Sequence, residues 1–281
     1  METGVDERSE EQPPIEEFAP EECDLRTGRV AARLGPCSLA LVDGAYELTL
    51  EVPTLRLRGR VRLVPVSTPF VVNNQPLAPG SRLSWLFVPR LEAHGYVWVG
   101  ATRVSLRGAP SYHDHNWGRF RWGDDFGWLW GSVLPGHPSV PWTIMLMRMT
   151  DGARQRATRQ GLYVWYGRDP AAMWRDGSVT IESDGLLRRP PALVLPPVMR
   201  ILCPGSASDL PASVTVRGGE GDDEVELRFA PDDYVRIVVP DERDELGVVV
   251  LNEVTGRVTA TGRVSGRAVE LEGTGVFEFL R

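Results

Sequence analysis

"GRVTATGRVSGRAVELEGTGVFEFL" (Gly256–Leu280) alternates apolar with polar residues in short runs punctuated by glycine. Period-two alternation belongs to strands with one buried face, so this stretch reads as strands that close a sheet. The same pattern recurs upstream. "LALVDGAYELTLEV" (Leu39–Val52) reads as a hairpin about Asp43-Gly44, and "TIMLMRMTDGARQ" (Thr143–Gln155) as another near Asp151-Gly152. Helical periodicity is almost absent. The 29 glycines and 23 prolines fall between the runs rather than within them, which fits many strands joined by many turns, a sandwich or a barrel. Two stretches, 65–81 and the proline-rich 188–206, read as long loops of the kind that cap a binding mouth.

A faint internal repeat supports two similar halves. "SLRGAPSYH" (Ser105–His113) and "ELEGTGVFE" (Glu270–Glu278) align Leu106 with Leu271, Gly108 with Gly273 and Tyr112 with Phe277. Each half would then be a similar antiparallel barrel ending in an equivalent strand, with a ligand site where the halves meet.

Composition excludes several functions. With 281 residues and 42% hydrophobic side chains the chain can bury real cores, and its net charge of -7 argues against nucleic acid as a partner. All 31 basic residues are arginine. Mechanisms that need a lysine amine, including the phosphate loop and the Schiff base, are therefore absent. Cys23, Cys37 and Cys203 are odd in number and scattered, which suggests neither a disulfide framework nor a zinc ribbon and fits a cytoplasmic, reducing setting. The N-terminal residues are acidic (Glu2, Asp6, Glu7, Glu10, Glu11, Glu16, Glu17), unlike a secretory signal, and read as a disordered tail. No apolar run is long enough for a membrane helix, so a hydrophobic partner would be bound rather than spanned.

Chemistry concentrates in "SYHDHNWG" (Ser111–Gly118), which holds two of the four histidines. On a strand, Tyr112, Asp114 and Asn116 face one way and His113, His115 and Trp117 the other. His113 and His115 could both ligate a metal, but a third ligand is needed and only His94 and His137 remain, so no metal is expected. Asp114 offers acid chemistry: in an apolar pocket its pKa rises and it becomes a proton donor. Alternatively, Asp114 and Asn116 only satisfy backbone donors at a strand end. Trp117, Trp122, Trp128, Trp130 and Trp142 follow closely; they are either core or, with His113, the π-rich wall of a pocket for an extended apolar ligand. "LRLRGRVRL" (Leu55–Leu63) carries Arg56, Arg58, Arg60 and Arg62 on what reads as a solvated sheet face or an anion-binding stripe. Signatures of serine hydrolases, zinc proteases, dinucleotide folds and iron-sulfur proteins are missing, so catalysis would need no cofactor.

The stretch "YHDHNWG", the preceding run with Pro89, His94-Gly95, Val99-Gly100 and Gly108, and the glycine-punctuated C-terminal strands together resemble the family of AttH and the carotenoid 1,2-hydratases (hydroxyneurosporene synthases), to which lipocalin-like Diels-Alderases are related. The resemblance spans Asp24 to Arg281. It implies an all-β fold of two tandem lipocalin-like antiparallel barrels, residues 23–122 and 123–281 after a tail of 1–22, with a hydrophobic pocket between or within them. It also implies acid-assisted hydration, cyclisation or cycloaddition of an isoprenoid or polyketide-type metabolite, with Asp114 as acid and Tyr112, His115, Asn116 and Trp117 as its setting. A lipocalin-like carrier that shields a lipophilic molecule is the second reading, and it uses the same pocket without turnover.

Overall fold

The structure is a computed structural model that describes residues 18–26, 29–123, 125–151, 156–187, 210–240 and 248–280. The first seventeen residues of the acidic tail and the proline-rich 188–206 loop lie outside the described residues.

Two antiparallel sheets account for the strands. The first is built from β1 (Cys23–Leu25), β2 (Ala31–Leu34), β3 (Cys37–Val42), β4 (Ala45–Val52), β5 (Leu57–Pro65), β6 (Phe70–Pro76), β7 (Arg82–Val99) and β8 (Thr102–Arg119). The second comprises β9 (Phe126–Pro135), β10 (Trp142–Asp151), β11 (Ala157–Tyr166), β12 (Asp169–Arg175), β13 (Val179–Asp184), β14 (Ser213–Glu220), β15 (Asp223–Pro240), β16 (Val248–Val264) and β17 (Arg267–Leu280). This is the expected all-β class, in keeping with a tandem pair of lipocalin-like barrels, although neither ladder closes on itself among the described residues.

The hairpins form where the turn chemistry demands. Asp43-Gly44 (φ 48° and 75°) joins β3 to β4, and Ser265-Gly266 (φ 51° and 75°) joins β16 to β17. Positive φ at both central positions is the type I′ geometry whose twist matches the flanking strands. The 65–81 stretch is not one loop, because β6 lies inside it. A register shift between Val72 and Gln75, with Asn74 at φ 53°, breaks the alternation that would have marked this strand.

The second sheet buries both faces at β9, β10 and the end of β11, while β13, β14 and β17 alternate buried with exposed residues. Its inner face holds a core that includes Leu146, Leu162, Val216, Leu227, Val258 and Phe277. On its outer face, Trp128, Trp130, Met147, Tyr163 and Trp165 pack with Leu83, Trp85 and Phe87 of β7. Strands β9 and β10 therefore read as nearly continuous apolar runs, as strands covered on both sides must. At the centre of this seam Phe87 is fully buried, with ring centroids 5.3 Å from Phe70, 5.4 Å from Trp130, 6.0 Å from Tyr163 and 5.7 Å from Trp165.

Polar fastenings flank the aromatic seam. Arg90, which follows Pro89 at a register shift in β7, donates from Nη1 to Val140 O and from Nη2 to Pro138 O, each at 2.7 Å. The Ser67 hydroxyl donates to Gly167 O at 2.9 Å, and Thr68 N–H to Arg168 O at 2.8 Å. Ser81 donates to Asp125 at 2.7 Å, which ties the β8–β9 connection to the β6–β7 turn. Exposed ion pairs such as Arg62 with Glu47 contribute only about 0–1 kcal/mol each, against about 1.5–3 kcal/mol for each large apolar side chain buried. The aromatic contacts dominate. Phe87→Ala should cost about 3–5 kcal/mol, measured as a lowered denaturation midpoint, with the fluorescence of the seam tryptophans shifting toward that of exposed indoles.

Candidate functional site

Strand β8 lays one edge of the site along the seam. Its pairing with β7 shifts between Val88 and Leu91, where Tyr112 falls opposite Pro89 and Arg90. Irregular pairing of this kind re-aims side chains, and here Tyr112 packs into the aromatic cluster. The Tyr112 hydroxyl donates to Asp114 Oδ2 at 2.9 Å and accepts from Trp130 Nε1 at 3.0 Å. A chain Trp130 → Tyr112 → Asp114 thus links the sheets.

The two faces of "SYHDHNWG" separate as alternation predicts. Tyr112 and Asp114 turn to the second sheet. His113 lies on the other side, its ring centroid 4.6 Å from that of Tyr46 beside a small core of Val88 and Leu91. His115 is exposed and stacks on Trp117 at 5.5 Å, while half-buried Asn116 pairs with Trp85 in the ladder. Trp128 and Trp130 stack at 5.7 Å, and Trp122 packs edge-on against Trp128 at 4.9 Å. These join the seam. Trp142 does not, for it faces the inner core of the second sheet and donates to Ala268 O at 3.1 Å. Arg58, Arg60 and Arg62 lie exposed on β5 and Arg56 is exposed just before it, with Arg58 over the Trp98 ring at 5.1 Å.

Two residues of the site escape the sequence reading. Glu278 of β17 pairs across the ladder with Trp130 on one side and with Glu253 of β16 on the other. The Asp114 charge acts on both glutamates, so three carboxyl groups from two sheets lie within electrostatic reach of one another on the face of the tryptophans. In "VFEFL" the glutamate sits on the polar side of an ordinary alternation, which normally means solvent. The signal lies in the neighbouring strand, where Trp128 and Trp130 share that side and mark it as covered.

Electrostatics follow from the burial. Desolvation pushes Asp114 up, opposed by the Tyr112 hydrogen bond and by His115. Glu253 is raised mainly by desolvation and then by the Asp114 charge. Glu278 is pushed up to about 8, by desolvation first and then by the charges of Glu253 and Asp114. Tyr112 is held well above its usual range, so it stays a donor, and burial lowers His113. Trp128, only 6% exposed, lies with its indole beside Glu278 and favours the carboxylate, yet its Nε1 makes no hydrogen bond of good geometry. Among the described residues no group of three or more His, Cys, Asp or Glu is arranged to hold a metal ion. A void of about 50 Å³ between Trp85, Tyr163 and Arg175 is water-sized, and a groove of about 1310 Å³ along the second sheet includes none of these residues.

No family model matches the chain, and no curated protein matches it in sequence. Solved structures do share its fold. An AttH candidate from Nitrosomonas europaea superposes with a TM-score of 0.57 at 15% identity, over 89% of this chain and 68% of the other. Kievitone hydratase from Nectria haematococca gives 0.51 at 13% identity, over 84% of this chain and 64% of the other. CghA, solved with Sch210972, gives 0.54 at 12% identity, over 90% of this chain and 68% of the other. The structural neighbours are thus those that the sequence resemblance anticipates, at identities that speak for the fold.

Tyr112→Phe removes the hydroxyl between Trp130 and Asp114. It should cost about 1–3 kcal/mol in a chemical melt, because it orphans a buried indole N–H. It should also raise the Asp114 pKa further, followed by carboxyl chemical shifts against pH.

Proposed function

We propose that the chain is an enzyme that binds an extended, lipophilic isoprenoid or polyketide-type metabolite and carries out acid-assisted hydration, cyclisation or cycloaddition without metal or nucleotide. The observation that carries this reading is the meeting of Asp114, Tyr112 and two carboxyl groups with a stacked tryptophan pair at the junction of the sheets. A buried carboxyl costs folding free energy whether or not it is used, and a carrier of apolar molecules gains nothing from three. A hydratase among the neighbours supports the same reading by fold.

In this reading residues 23–122 and 123–281 form two domains that share the site. The acid protonates an alkene or polarises a carbonyl, the faces of Trp128 and Trp130 stabilise the positive charge that develops, and water or an internal nucleophile completes the step. Acid catalysis contributes about 10²–10⁴ in rate, and the rest comes from holding the substrate in a reactive fold. Half-buried Asn116, on the Asp114 face, and exposed His115, on the other face, orient polar groups of the substrate, and Trp117 and Trp122 border the way in. The free thiols of Cys23 and Cys37 suit a reducing, cytoplasmic setting.

Lipophilic extracts of cells with and without the gene, compared by mass spectrometry, test the reading. Loss of the gene should accumulate a linear precursor, or one lighter by a water molecule. With that precursor, Asp114→Asn should keep binding and lose turnover by about 10²-fold or more. If no metabolite changes while the purified protein retains a bound lipophile, the carrier reading replaces this one.

A further inference from the structure

We propose that Glu278 is the proton donor of this site, with Glu253 as its positioning partner, and that the pair acts on an uncharged, oxygen-bearing lipophile. This rests on the acid-catalysed reading above and deepens it, moving the donor role from the conspicuous aspartate to a strand that carries no motif.

The geometry is specific. Glu278 and Glu253 are direct cross-strand partners on β17 and β16, on the face of the second sheet that carries Trp128 and Trp130. Two carboxyl groups directly opposite each other on one covered face repel when both are ionised, so the pair favours holding one proton, and burial with the Glu253 charge lifts Glu278. The groups that face the pair are Asp114 and Tyr112 from β8 and the two indoles from β9, with His115 acting at one remove through Asp114. No cation among them neutralises the pair. The Trp128 Nε1–H, nine-tenths buried and without a well-formed acceptor, lies beside Glu278 and supplies a donor for a further oxygen. A carbonyl oxygen placed there would meet two donors, one indole N–H and one carboxylic acid.

Chemistry follows from that placement. The Glu278 O–H bond breaks, its electron pair stays on the carboxylate, and the proton forms a new O–H or C–H bond on the substrate. The resulting cation lies against tryptophan faces and carboxylates, which stabilise positive charge. Water addition or loss of a neighbouring C–H proton then returns one proton to the pair, so no oxidant or reductant is consumed. The same three carboxyl groups repel a substrate that carries a carboxylate or phosphate.

Infrared difference spectroscopy across a pH series on the intact protein tests the proton. Wild type should show the carbonyl stretch of a buried protonated carboxyl at neutral pH, disappearing near pH 8. Glu278→Gln should abolish it. Glu253→Gln, which removes the neighbouring charge, should move its midpoint down by roughly one unit or more. A merely structural pair would show no protonated carboxyl at neutral pH, or a signal that survives Glu278→Gln, and either result overturns the proposal. Fluorescence titration with a neutral naphthyl ketone dye and its carboxylic acid analogue tests the ligand class. The ketone should bind wild type at least about tenfold more tightly than the acid, and Glu278→Gln should narrow that gap; equal affinities would overturn the class assignment. If neither dye binds while the titration behaves as stated, the pocket reading fails and the shared proton stands.

Discussion

The structure depends on one burial constraint: the second sheet must be covered on both faces where β9, β10 and β11 cross it. Its inner face closes over its own aliphatic core, but the outer faces of β9, β10 and β11 carry three methionines, a phenylalanine, a tyrosine and three tryptophans that only another sheet can cover. Strand β7 supplies the cover with Leu83, Trp85 and Phe87. The two halves of the chain are therefore held by a core of their own rather than by surface polarity. That shared core is what makes a dry place for carboxyl groups.

Dryness sets the electrostatics of the site. A carboxylate in water ionises well below neutrality, and here desolvation is the first cause of the shift at Asp114, Glu253 and Glu278 alike. Mutual repulsion adds to it. Neighbouring groups then separate them, since the Tyr112 hydrogen bond holds Asp114 down while the Glu253 and Asp114 charges lift Glu278. The arrangement resembles the general case in which neighbouring acids are pushed to different values and so take different roles.

The fold was legible where periodicity and turn residues agree. Asp43-Gly44 and the glycines of 256–280 announced their hairpins because type I′ turns and two-faced strands leave direct marks in a sequence. β6 left none, since the irregularity at Asn74 erased its alternation. Alternation also sorted Tyr112 and Asp114 from His113, a separation that depends only on strand geometry. It misled at Glu278, because a period of two tells which residues share a face but not what lies opposite that face. Trp142 shows the same gap from the other side: an indole close in sequence to the site belongs to the inner core.

Strand order carries a further consequence. β17 is last along the sequence but lies inside the second sheet, between β9 and β16. The ladder from β9 to β17 joins Pro135 to Gly273 and Trp128 to Leu280, so it closes a loop of more than a hundred residues, a slow and entropically costly contact. As the ribosome delivers the chain, β9 waits with one edge unpaired until residues 267–280 emerge. The strand that completes the sheet also brings Glu278, so this carboxyl enters the protein interior only in the step that finishes assembly.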